Sequence, residues 1–283
     1  MQAVDQRKYS EYLEEVRGAV ESRVGGSVTI RKVNKNNGLV LDGLTITQEG
    51  VNIAPTIYLN SYFEDYISEG AAATAERIIA VYEDKKPKES IDVSFFTDIE
   101  RVRPAIEMKL VNYGMNKVLL EQVPHVRFLD LAVVFIVVLE ADREEGVSSI
   151  LVYNQHLECW NMEADDLYRI AVKNTAKDFE ITPMFGIKKS RLSILTNHYK
   201  LYGAAGMLYK ELLNQYMEAN QAGKIAILPS SIHEVLLMTC DDHVDIGCLK
   251  NMVKEVNATQ VEPEEVLSGN VYIYDGNEIT IAE

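Results

Sequence analysis

Lys224–Asp242 reads KIAILPSSIHEVLLMTCDD, and this stretch decides what the second half of the chain can build. Ile225–Leu228 is a short aliphatic run and Ile232–Thr239 a mainly apolar one that includes His233 and Glu234, on either side of a Pro229-Ser230-Ser231 corner. Two such runs around a prolyl-seryl corner predict two strands joined by a turn. Upstream, Leu192–Thr196 predicts a further strand, and Tyr202–Ala219 a helix with Ala205, Leu208, Leu212 and Tyr216 on one face. Downstream, Asp245 is placed to cap a helix whose stripe is Ile246, Leu249, Met252, Val253 and Val256. Val271–Tyr274, the Asp275-Gly276 turn and Ile279–Ile281 predict a closing hairpin.

The same alternation runs backwards from there. RFLDLAVVFIVVLE (Arg127–Glu140) holds nine apolar residues in a row, which predicts a strand buried on both faces, with a buried helix as the alternative that fits the periodicity almost as well. Asp130 precedes that run, and a carboxylate there needs a partner, for which Arg127 and His125 are the nearby candidates; it reads as a paired structural carboxylate, with a catalytic acid as the alternative. Helices are expected through Leu157, Trp160, Leu167, Ile170 and Ala171, and an irregular stretch over Ala176–Arg191. The chain opens on an amphipathic helix with Tyr9, Leu13, Val16, Val20 and Val24 at helical spacing, stopped by Gly25-Gly26. A β-meander follows: Ser27–Val33, an Asn37-Gly38 type I′ signal, Leu39–Thr47, and a third strand through Val51 and Ile53. Asn60 or Ser61 should cap one helix, Ala71–Tyr82 should form another, Thr97-Asp98 a short third, and Asn112 should cap a fourth after a strand at Ile106–Val111. The reading is an α+β protein of mainly antiparallel sheets with helices on their faces, in two lobes, 1–124 and 125–283, parted near Pro124.

Composition narrows the function classes. The 283 residues are 47% hydrophobic, enough for a core without disulfide or metal staples. A formal net charge of -15 repels phosphate backbones and anionic membranes at long range, and neither Lys85, Lys86, Lys88 nor Lys188, Lys189, Arg191 amounts to a basic patch. Nucleic acid and membrane are therefore not expected as partners. The longest apolar run, Leu131–Leu139, is far short of the roughly 18 residues a span needs. Three cysteines (Cys159, Cys240, Cys248) and a charged, helix-periodic N-terminus without a signal-peptide pattern predict a cytoplasmic protein.

Five groups of residues bear on chemistry. Ser230, Ser231, His233 and Glu234 are the candidate catalytic set for a hydrolase, although on a regular strand His233 and Glu234 would face opposite ways. Cys240, Asp241, Asp242, His243, Asp245 and Cys248 are ligand types for zinc, but without paired Cys-x-x-Cys or His spacing they read as an acidic turn that caps a helix. No metal and no cofactor is expected. GAAG (Gly203–Gly206) lacks the third glycine of a dinucleotide fingerprint and the lysine of a P-loop, so it reads as close packing on a sheet. Fifteen tyrosines, among them Tyr58, Tyr62, Tyr66, Tyr199 and Tyr202, offer amphipathic area for an interface. Asn257-Ala258-Thr259 fits a glycosylation sequon and reads instead as a helix C-terminal cap.

ILPSSIHEVLLM (Ile227–Met238) and MVKEVNATQVEPEEVLS (Met252–Ser268) resemble text of an uncharacterised family of bacterial cytoplasmic proteins common in gut Firmicutes. NNGLVLDGLTI (Asn36–Ile46), PTIYLNSYFEDY (Pro55–Tyr66), DVSFFTD (Asp92–Asp98) and VPHVRFLDLAVVF (Val123–Phe135) resemble it as well. A more distant likeness is to the YtpQ-like proteins of unknown function. The resemblance implies a bacterial cytoplasmic protein and brings no catalytic residue with it. The function expected is a non-catalytic interaction or regulatory protein with an unknown protein or small-molecule partner. The alternative is the hydrolase working through Ser230, Ser231, His233 and Glu234.

Overall fold

The computed structural model describes residues 3–48, 54–86, 93–142, 146–184, 192–241 and 243–283. The fold is α+β, and every described strand pair is antiparallel. The chain divides into two compact units: Met1–Lys35 with Leu39–Val93, and Asn36–Gly38 with Ser94–Glu283. A strand pair of the second unit, Ile106–Asn112 with Leu131–Val137, joins residues on either side of the lobe boundary expected at Pro124.

In the first unit α1 (Ala3–Glu21) and α2 (Phe63–Lys85) enclose an apolar core with the sheet β1 (Ser27–Asn34), β2 (Val40–Thr47) and β3 (Thr56–Tyr58). The α1 stripe is Tyr12, Val16 and Val20, with Tyr9, Leu13 and Val24 packed at its edge. Asn37 (φ 61) and Gly38 (φ 70) both take the positive φ expected of the turn, but three residues, not two, separate the bonded pair Lys35 and Leu39. The expected strand through Val51 and Ile53 lies outside the described residues, and the third described strand is Thr56–Tyr58. The two helices expected around Tyr62–Tyr82 are present as the two halves of α2, parted at Gly70, whose φ 82, ψ 172 is open only to glycine. Asn60 does not cap it: the Asn60 side chain accepts from the Asp42 amide.

The second unit holds two sheets. One pairs β4 (Ile106–Asn112), β6 (Leu131–Asp142), β5 (His125–Phe128) and β7 (Gly146–Leu151). Within β6, Leu131, Val133, Phe135 and Val137 face the main core, while Ala132 and Val134 face a second cluster with Val111, Leu120 and Val123. Burial on both faces is why this run carries no polar alternation. The other sheet runs β13 (Ile279–Ile281), β12 (Tyr272–Tyr274), β10 (Lys224–Leu228), β11 (Val235–Cys240), β9 (Leu192–Asn197) and β8 (Phe179–Pro183). In β10, Ile225 and Ile227 enter the main core, and Ala226 and Leu228 pack beneath α8 (Ile246–Thr259) with Leu249 and Val253. α3 (Ile99–Val102), α4 (Lys117–Leu120), α5 (Asn154–Trp160), α6 (Ala164–Thr175) and α7 (Lys210–Ala219) complete the unit.

Several expectations need correction. Strand β8 lies inside the stretch read as irregular. The helix expected from Tyr202 starts only at Lys210, because Gly203–Leu208 winds as a tighter 3-10 helix whose small residues press against β9. The Asn112 side chain caps no helix: it accepts from the Met115 amide, and α4 starts beyond it, at Lys117. The N-cap position of α4 is Asn116, whose side chain makes no capping bond to the helix. Asn257 likewise lies within α8 rather than at its end, and donates to the Ser268 carbonyl. Among the described residues no helix is long and apolar enough to cross a membrane.

Candidate functional site

Strand β11 begins at Val235, so His233 and Glu234 sit in the corner before it rather than on a regular strand, and the expectation that they face opposite ways lapses. Backbone bonds explain the corner. Ile232 N–H donates to Glu265 O, Leu267 N–H to Ser230 O and Ser268 N–H to Pro229 O, at 2.9, 3.0 and 2.9 Å. This short ladder carries segment 265–268 alongside 229–232 and brings the Glu265 carboxylate to 3.2 Å from His233 Nε2.

The other ring nitrogen is also engaged. Tyr202 N–H donates to His233 Nδ1 at 3.2 Å, which leaves the ring proton on Nε2, facing Glu265. The Tyr202 ring stacks on the imidazole at 5.6 Å, and Lys109 Nζ lies 4.4 Å from the centre of that same ring. Burial pushes the His233 pKa below its ordinary value; Glu265 pulls it back up and Lys109 adds to the lowering. Tyr202 is held at φ 60, a left-handed conformation uncommon for a bulky residue. The neighbouring Gly203 makes the approach possible: a Cβ there would stand 2.5 Å from Thr196 Oγ1, 2.6 Å from Asn197 N and 2.7 Å from His233 O.

The candidate serines serve the turn. Ser231 Oγ accepts from the His233 amide at 3.1 Å, and Ser231 forms an isolated bridge with Val266. Neither serine hydroxyl bonds the imidazole among the described residues. Glu234 is half-buried beside this corner and acts on His233 through its charge.

Farther along the same segment lies a second polar knot. Asp130 accepts from Ser268 Oγ at 2.7 Å, Asn270 Nδ2 at 3.0 Å and Tyr272 Oη at 2.6 Å. The expected partners do other things: His125 donates to Val123 O, while Arg127 donates to Leu129 O and lies over the Tyr113 ring. Ser268 and Tyr272 are fully buried, and burial together with Asp130 raises the Tyr272 pKa. Asn257 and Asn112 bind the carbonyls of Ser268 and Leu267. Segment 265–272 thus joins His233 to Asp130 in one polar seam. Sequence reasoning misses Tyr202, Lys109, Glu265, Ser268, Asn270 and Tyr272 as members of this seam. The signal available for one of them is Lys109 itself, a cation in a run that alternates as a half-buried strand.

The acidic stretch after β11 behaves as a turn and a cap. Asp241 accepts from the His243 amide and Asp245 from the Cys248 amide, while Asp242 lies outside the described residues. Among the described residues no group of three or more His, Cys, Asp or Glu side chains is placed to hold a metal ion. The tyrosines proposed for an interface are half-buried, with Tyr58 against Lys35, Tyr66 bonded to Glu15 and Tyr202 on His233.

Fold and seam define an α+β protein in which, among the described residues, a histidine corner is tied to a half-buried aspartate. The chain belongs to DUF5688, a family of unknown function, whose model matches residues 9–187 and 177–276. No curated protein and no solved structure matches it.

Proposed function

We propose that the chain is a non-catalytic interaction or regulatory protein of the bacterial cytoplasm, acting on a protein or small-molecule partner. The observation that supports this reading is the double engagement of His233. A serine hydrolase needs a hydroxyl on one imidazole nitrogen and a carboxylate on the other. Glu265 supplies the carboxylate, but the remaining nitrogen holds the Tyr202 amide, and Ser231 faces the backbone. An acidic surface that repels polyanions supports a partner other than nucleic acid or membrane.

Labelling the full chain with a fluorophosphonate, followed by peptide mass spectrometry, tests the reading. No adduct on Ser230 or Ser231 is expected. An adduct on either serine that disappears in His233→Ala while the fold persists would favour the hydrolase instead.

A further inference from the structure

On α6, Asp166, Arg169, Ile170, Lys173 and Asn174 recur at the spacing that aligns side chains along one helix face. With Met162, Arg103 and Pro104 they line a groove of about 640 Å3, within the roughly 300–1,000 Å3 of small-molecule sites. Three of its eight lining side chains are cations, in a chain of net charge -15. Arg103 bonds Glu100 at 2.8 Å and Arg169 bonds Asp166 at 3.1 Å, and each guanidinium keeps further N–H donors. Lys173 pairs with no carboxylate among the described residues. Asn174 Nδ2 donates to Arg103 O and Ile106 O, both at 2.8 Å, which fixes the wall bearing Arg103 to the helix bearing Arg169 and Lys173. Pro104, Met162 and Ile170 supply apolar surface between the charges.

We propose that this groove binds a small organic anion, with its oxyanion head among Arg103, Arg169 and Lys173 and its apolar body on Met162 and Ile170. The inference goes beyond the reading of the His233 corner and stands whether or not that corner is catalytic. A compact anion suits the site better than a polyanion, since the rest of the surface repels extended negative charge.

The test titrates the full chain with phenyl phosphate, benzoate and neutral benzyl alcohol by isothermal calorimetry. Saturable binding of at least one anion, and much weaker binding of the alcohol, is expected. Arg169→Gln combined with Lys173→Gln should weaken the anion about tenfold, the scale of losing charge-assisted bonds at an exposed site. Asp166→Asn keeps a side-chain oxygen for the Glu163 amide but releases Arg169, so it should tighten binding. That gain cannot come from misfolding. The proposal is overturned if neither anion binds, if the alcohol binds as well, if the double variant matches the wild type, or if Asp166→Asn binds more weakly. The tighter of the two anions identifies the head group.

Discussion

Replacing Gly203 with alanine should destabilise the second unit by about 3 kcal/mol, near the upper end of overpacking costs. The added Cβ would meet Thr196 Oγ1 at 2.5 Å, Asn197 N at 2.6 Å and His233 O at 2.7 Å. Two of these three atoms are backbone, so no rotamer change relieves them. Each contact must open by about 0.7–0.9 Å to reach ordinary van der Waals distance, and opening them pulls on the Thr196–His233 and Tyr202–His233 bonds. The assay is urea unfolding followed through Trp160, the chain's one tryptophan, which is buried in the same core cluster as Ala204 and Ala205. With a slope of about 2–3 kcal/mol per molar the midpoint should fall by about 1–1.5 M. Gly223→Ala is the control: nothing lies within 4 Å of its Cβ, and it should stay within about 0.5 kcal/mol of the wild type. A Gly203→Ala midpoint indistinguishable from that control would refute the close approach of Gly203 to the His233 corner.

Asp130→Ala strands three donors, two of them on fully buried residues, and should cost about 3 kcal/mol or more, whereas Tyr272→Phe removes one bond of three and should cost about 1 kcal/mol; equal losses in Trp160-detected unfolding would contradict the knot. Burial raises the pKa of Tyr12, Tyr209 and Tyr272, so above the unfolded value of about 10 only the unfolded state releases these protons and stability falls as pH rises. Absorbance of tyrosinate should therefore lag for these rings until unfolding begins, and full ionisation of all fifteen before unfolding would rule this out. The depressed His233 pKa means stability falls as pH drops below about 6.5. By NMR titration, Lys109→Met should raise that pKa and Glu265→Gln lower it, and the opposite signs would show that the charges around the ring are misassigned.

How much of the structure is legible in the sequence follows from how local each signal is. β6 and β10 are readable because strands buried on both faces show as short unbroken apolar runs. The α1 stripe and the Asp98 and Asp245 caps are readable because their determinants lie within a turn or two of each other. Asp130 reads as a carboxylate in need of partners, yet those partners lie 138, 140 and 142 residues downstream, beyond the reach of any spacing rule. Gly70 and Gly203 carry the same limit in another form: a glycine in the text does not say whether it breaks a helix or admits a neighbouring strand. His233 stands out as a candidate base, and its surroundings are assembled by tertiary structure from Lys109, Tyr202 and Glu265 on three separate segments. Buried polar groups favour a single arrangement when every member is bonded. In this corner the bonding reaches both imidazole nitrogens, the Ser231 hydroxyl and the left-handed Tyr202 backbone together. A partner-binding role therefore has to be sought where cations remain open to solvent, and the α6 groove, with Lys173 unpaired among the described residues, is such a place.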